Sequence, residues 1–351
     1  MAVQPPDNTT AVREAHRLDE AALERWLLDH IGGFEGPLTV RQFKGGQSNP
    51  TFWLGGGHRA YVLRKKPPGK LLPSAHQVER EHRVMKALED TDVPVPEMYG
   101  LCEDDSVIGT PFFVMEYLDG RLFWDVRLPD LSPDERAAVY EELVRVLAAL
   151  HSVDYEAVGL GDFGKKGGYI ARQVRRWSDQ YHKSRTDDHA AMDALIEWLP
   201  ANVPASDETA LTHGDYRLDN ILFDPSEPEA VAVVDWELST LGHPLSDLAY
   251  TCMLYDVELP KVGGLKGVDF ETSGIPSEER LVERYRELTG RDEIPDWPYF
   301  KAFSLFRLAA IAQGVYRRSI QGNASSAEAH MYGAAVPFLA QIACDLVELE
   351  P

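Results

Sequence analysis

The chain has 351 residues, 44% hydrophobic and 26% charged, an ordinary globular composition with length enough for two cores. Its formal net charge of -22 argues against a nucleic acid or an anionic membrane as partner, and the acidity is concentrated after Gly120. Three cysteines, Cys102, Cys252 and Cys344, are odd in number and far apart, with neither a disulfide framework nor zinc spacing, so a reducing cytoplasm is expected. The opening residues lack a charged-then-apolar signal pattern, and no apolar run approaches a membrane span.

Residues 1–17 are polar and contain proline. Asp19 to Ile31 has the period of an amphipathic helix, with Leu23, Trp26, Leu27 and Ile31 on one face. Leu38 to Phe43 alternates like a strand, Gly45-Gly46-Gln47-Ser48-Asn49 follows, and Thr51 to Leu54 is a second strand. Such a hairpin can cover phosphates: Gly45 and Gly46 let backbone N–H groups approach closely, and Ser48 and Asn49 add side-chain donors. A plain hairpin turn has the same local pattern, and no Gly-Lys-Ser/Thr follows as in a P-loop.

Arg59 to Lys66 is the next strand. Alternation puts Tyr61, Leu63 and Lys65 on one face and Val62, Arg64 and Lys66 on the other. Ser74 to Glu89 is a helix by period and capping. Glu81 has Met85 and Leu88 four and seven residues on, at the edge of the buried face, so it is chosen over Glu79 to pair with the strand cation. Glu97 to Cys102 and Pro111 to Tyr117 read as strands, with a turn near Glu103–Asp105. Beyond Leu118 the pattern is mostly helical: Pro133–Ser152, capped by Ser132 with Pro133 at its first turn, then Tyr169–Lys183, His189–Leu199, 277–289, 297–321 and 326–349. Tyr299, Phe303, Phe306, Tyr316 and Arg317 are candidate pocket walls, although aromatics at helical spacing are more often core.

The stretch Leu211 to Tyr250 carries the chemistry. Asp215 is followed five residues later by Asn220, and the apolar run Ala230–Val234 ends in Asp235. Phosphoryl transfer needs these parts in this order: a carboxylate to accept a hydroxyl proton, then an amide oxygen and a second carboxylate to hold Mg²⁺ on nucleotide phosphates. A carboxylate-rich loop is often only a solvated turn or a calcium site. This one lacks the alternation of an EF-hand, and its second aspartate ends an apolar strand.

His213-Gly214-Asp215 with Asn220, Asp235 and His243-Pro244-Leu245-Ser246-Asp247 resembles the aminoglycoside phosphotransferase family, closest to the branch related to the kinase-like domains joined to acyl-CoA dehydrogenases. The resemblance runs from about Gly45-Gly46 to the C-terminal helices. It implies an α+β, two-lobed protein-kinase-like fold. The N-terminal lobe, 1–118, would be an antiparallel sheet with one main helix, and the mostly helical lobe, 119–351, would hold the catalytic loop and acceptor site, with a hinge near 116–120.

It further implies that Asp215 is the catalytic base, that Arg217 neutralises charge on the transferred phosphoryl, and that Asn220 and Asp235 ligate Mg²⁺. Val62 and Leu222 would enclose the adenine, and Met115 would lie behind it. The Glu116 carbonyl and Leu118 N–H would bond the adenine edge. Arg64 stands where protein kinases carry lysine, with Lys65 as the alternative. Asp247 resembles the family aspartate that braces the catalytic loop; a helix cap is the other reading. His213 is read as a structural pin, His151 as structural, and Asp219 as supporting or solvated.

The implied activity is ATP-dependent phosphorylation of a small-molecule hydroxyl. Aminoglycosides, other amino sugars, choline-like alcohols and hydroxyacyl-CoA thioesters remain open as acceptors. The alternative is a nucleotide-binding pseudokinase acting as an interaction module, suggested by Arg64 in place of lysine and by Trp236-Glu237 in place of Phe-Gly.

Overall fold

Alternation of apolar side chains builds the first of two units. The computed structural model describes residues 3–45, 49–67, 77–258, 263–322 and 329–351. The chain divides into Met1–Arg121 with Val231–Leu238, and Leu122–Ala230 with Ser239–Pro351. The first unit thus runs to Arg121 rather than 118. It also takes in a segment that linear reading leaves with the second part.

The first unit contains β1 (Thr9–Thr10), α1 (Glu20–His30), β2 (Thr39–Phe43), β3 (Thr51–Gly56), β4 (Arg59–Lys65), α2 (Val78–Leu88), β5 (Met98–Cys102), α3 (Asp105–Ile108) and β6 (Phe112–Glu116). The strands form an antiparallel sheet in the order β1-β2-β3-β4-β6-β5. Phe52 and Leu54 on β3, Tyr61 and Leu63 on β4, and Phe112 and Val114 on β6 share one face. They pack with Leu23, Trp26 and Leu27 of α1. Period-two alternation therefore turns Val62 and Arg64 to the opposite face. Asp19 starts α1 by accepting the Ala22 N–H at 2.9 Å. The turn expected at Glu103–Asp105 becomes the short helix α3: Asp104 accepts the Ser106 N–H at 2.8 Å, and Gly109 closes the helix at φ 83°.

The second unit is mainly helical: α4 (Pro133–Ser152), α5 (Tyr169–Ser184), α6 (Ala190–Ala201), α7 (Pro244–Cys252), α8 (Glu278–Thr289), α9 (Trp297–Ile320) and α10 (Tyr332–Leu346). The capping box of α4 is present: the Glu135 N–H donates to Ser132 Oγ at 3.3 Å, and the Ser132 N–H donates to Glu135 Oε2 at 2.8 Å. Every residue of α7 is buried, which makes it the centre of the unit. Strands Ala210–Thr212 and Thr240–Gly242 pair antiparallel and bracket the loop that carries Asp215. The last expected helix is interrupted. A 3-10 turn at Ala329–Met331 precedes α10, and residues 326–328 lie outside the described residues. Among the described residues no helix is long and apolar enough to cross a membrane.

Candidate active site

In the first unit, Arg64 joins two carboxylates. Its Nε lies 2.9 Å from Glu81 Oε2, and its Nη2 donates to Asp235 Oδ1 at 2.5 Å. Glu81 is 1% exposed, and its other oxygen accepts from Asn49 Nδ2 at 2.7 Å. Burial pushes the Glu81 carboxyl up to about 7. Arg64 and the Asn49 hydrogen bond oppose that rise, and Asp235 and Glu237 add to it. For Arg64 burial works against the charge, and Glu81 and then Asp235 outweigh it.

Asn49 differs from expectation. Its side-chain amide is buried, with Nδ2 donating to Glu81 Oε1 rather than turned to a phosphate. Lys65 is buried on the α1 face with Nζ 5.9 Å from the Phe52 ring centroid, and Lys66 pairs with Glu79. Asp235 has a left-handed φ of 66°, a conformation costing a non-glycine residue roughly 1–3 kcal/mol. The neighbouring backbone is fixed: the Val233 N–H donates to the Pro94 carbonyl at 2.8 Å, and Trp236 Nε1 donates to the Val233 carbonyl at 2.9 Å.

In the second unit the loop after Ala210–Thr212 is held by its own backbone. The His213 and Gly214 N–H groups donate to Asp247 Oδ2 and Oδ1, at 2.6 and 3.0 Å. Asp247 therefore braces the loop. The cap of α7 is His243, whose Nδ1 accepts the Leu245 N–H at 3.3 Å. Burial pushes the Asp247 carboxyl up, but His151 and the His213 N–H outweigh it and hold it low. His151 itself lies between Asp247, at 3.5 Å, and the Tyr285 hydroxyl, at 2.7 Å. His213 Nδ1 accepts the Asp215 N–H at 3.2 Å, which is the pin expected of it.

Asn220 Nδ2 donates to the Asp215 carbonyl at 2.8 Å and to Asp215 Oδ2 at 3.2 Å. The amide nitrogen is thus turned to Asp215, so Oδ1 is the side-chain atom with lone pairs for a cation. Arg217 bonds Asp219 at 2.6 Å and lies 3.7 Å from Asp215 Oδ1. Asp219 is therefore the partner of Arg217 rather than a solvated charge.

The remaining expected residues fall as follows. Val62 and Met115 face each other across β4 and β6, nearly buried. Glu116 and Leu118 are half-buried at the end of β6. Leu222 is half-buried in the strand Ile221–Phe223. Gly45 is exposed, with open space around it, whereas Gly46 and Ser48 lie outside the described residues. Tyr299, Phe303 and Phe306 are core side chains of α9; Arg317 donates to the Arg185 carbonyl at 3.0 Å. Arg307, which sequence reasoning passed over, donates to the Gly214 carbonyl. Its signal was a charge inside the apolar run of α9, a feature it shares with Lys301.

A sheet with one paired helix, and a helical unit carrying an Asp-Asn loop braced by a buried aspartate, define a protein-kinase-like fold of the phosphotransferase class. Residues 39–301 match the model of the phosphotransferase enzyme family, and the chain belongs to that family. It is 47% identical over 339 residues to human acyl-CoA dehydrogenase family member 11, covering 94% of this chain and 43% of that protein. The chain thus spans less than half the length of this relative. A crystal structure from Ralstonia eutropha JMP134, of a protein assigned as an aminoglycoside phosphotransferase, is 48% identical. It aligns over 95% of this chain and 99% of its own, with a TM-score of 0.88. The fold is also that of a thermostable mutant of aminoglycoside phosphotransferase APH(4)-Ia, solved as a ternary complex with ADP and hygromycin B. There the identity is 17% and the TM-score 0.59, over 93% of this chain and 98% of that one.

Proposed function

We propose that the chain transfers the terminal phosphoryl group of ATP to a hydroxyl of a small molecule. Family membership carries the coarse activity. The observation that carries the finer reading is the Asp215–Asn220 pair, in which one amide orients the aspartate and keeps its own oxygen for a cation. The ADP and hygromycin B bound by APH(4)-Ia support a nucleotide donor and a small-molecule acceptor.

In this reading Asp215 accepts the proton of the attacking hydroxyl and holds that oxygen in line. Arg217 offsets charge gathering on the transferred group. Asn220 Oδ1 and the half-exposed Asp235 carboxylate are the oxygen donors for Mg²⁺, a hard cation that takes one or two protein ligands and completes its shell with phosphate and water. When bound, Mg²⁺ neutralises phosphate charge. Glu81 holds Arg64, the strand cation, beside Asp235, and Val62, Met115 and Leu222 offer apolar surface to the adenine. Gly45, Gly46 and Ser48 are assigned to the phosphates.

Hydroxylated metabolites incubated with the chain and Mg-ATP should yield one product heavier by a phosphoryl group, dependent on Asp215. Binding of ATP without transfer to any acceptor would instead favour an interaction module.

A further inference from the structure

Arg307 is a buried cation that the proposed chemistry does not use. It is 6% exposed, and among the described residues no carboxylate forms an ion pair with it. Its guanidinium carbon lies 5.4 Å from the Trp177 ring centroid and 4.8 Å from that of Tyr250. Among the described residues Nε has no hydrogen-bond partner, and Nη2 donates to the Gly214 carbonyl. Burying a guanidinium without a counter-charge is costly, and two aromatic faces offset only part of that cost. Such an arrangement in a long apolar helix points to a task at Gly214.

The peptide plane between Gly214 and Asp215 is held at both edges. Its oxygen takes the Arg307 hydrogen bond, and its N–H donates to His213 Nδ1 at 3.2 Å. The preceding plane is held by Asp247, which accepts the Gly214 N–H at 3.0 Å. Gly214 sits at φ 83°, so the chain reverses there on a residue with wide rotational freedom. Remove the bond to its carbonyl and the plane leading into Asp215 can swing. Asp247 on α7 and Arg307 on α9 thus grip opposite sides of one glycine.

We propose that Arg307, its guanidinium set against Trp177 and Tyr250, is a positioning residue for Asp215, setting the carboxylate's direction by clamping the Gly214 carbonyl. The proposal rests on the reading of Asp215 as base. A planar fork can lie flat between two rings and still aim a donor at the carbonyl; an ammonium cannot do both equally well.

The test uses the full chain with Mg-ATP as probe. Arg307→Met keeps an unbranched apolar stem as far as the position of Nε and removes the donor. Hydrogen exchange of the peptide spanning 211–217 should quicken about tenfold or more, while the sheet of the first unit is unchanged. Turnover of ATP with water as acceptor should fall about 10²-fold in kcat, the size expected for a small misplacement of a reacting group, with KM for ATP unchanged. Arg307→Lys should recover part of both. Wild-type exchange in 211–217 together with wild-type kcat in folded Arg307→Met overturns the proposal. Should Arg307→Met not fold, wild-type exchange and kcat in Arg307→Lys overturn it, and a local rise in exchange supports it. Asp215→Ala is the parallel arm: if that variant keeps full turnover, the base assignment fails, while the exchange measurement still decides the clamp.

Discussion

Arg64 Nη2 donates to Asp235 Oδ1 at 2.5 Å while Arg64 Nε faces Glu81 Oε2 at 2.9 Å. One planar side chain spans both carboxylates, which a point-charged ammonium cannot do with fixed geometry. The arginine at this position is therefore a bridge that orients Asp235, in addition to any contact with phosphate.

Arg64→Ala should lower Mg-ATP turnover at least 100-fold, and Lys65→Ala and Lys66→Ala should lower it less than tenfold. Lys65 lies on the core face over Phe52, so its loss should appear in a denaturation midpoint instead. Steady-state kinetics of the three variants check this. A Lys65→Ala variant that alone lost activity would move the assignment by one residue.

Asp247 accepts two loop amides while buried. Asp247→Ala leaves both N–H groups without their charged acceptor, and each such bond contributes about 1.5–3 kcal/mol. Urea unfolding should show a loss of roughly 3 kcal/mol or more, with kcat reduced even where the variant is fully folded. A loss under about 1 kcal/mol would contradict the brace.

His243 gives a pH signature. Burial pushes its imidazole down to about 4 from 6.5, and its Nδ1 must be unprotonated to cap α7. The unfolded chain takes up this proton near 6.5, the folded chain only near 4. The stability is present above 6.5 and lost as pH falls towards 4, by up to about 3 kcal/mol. His243→Asn keeps an acceptor for the cap and removes the titration. Its unfolding free energy should be flatter between pH 6.5 and 4 than that of the wild type; equal slopes would contradict the assignment.

What was legible in the sequence was local. Ser132-Pro133 and Asp19 announced the starts of α4 and α1. Strand alternation set Arg64 and Lys65 on opposite faces, and the apolar spacing after Glu81 marked that residue rather than Glu79, which pairs with Lys66. The order Asp215, Asn220, Asp235 carried the reaction class. What stayed hidden depends on partners far apart in the chain. Asn49 looked like a donor to phosphate because nothing linear ties it to Glu81. The Asp247 brace and the cap of α7 could not be separated, because His243 and Asp247 share one short segment. Arg307 meets the loop 93 residues away, and Lys301 is buried against Asp256 and Glu278 in the same helix-rich region. A charge inside an apolar helix signals that a partner exists and is silent on which.

Asp215 bears the central claim, since a base is needed only when an acceptor hydroxyl attacks and the nucleotide is assigned to other residues. The most direct measurement pairs calorimetry of Mg-ATP binding with the rate of phosphoryl transfer to the acceptor for wild type and Asp215→Ala. The account predicts nearly unchanged nucleotide affinity and a loss of transfer on the order of 10²–10⁴-fold from lost general-base action. Full transfer by a folded Asp215→Ala variant would contradict it.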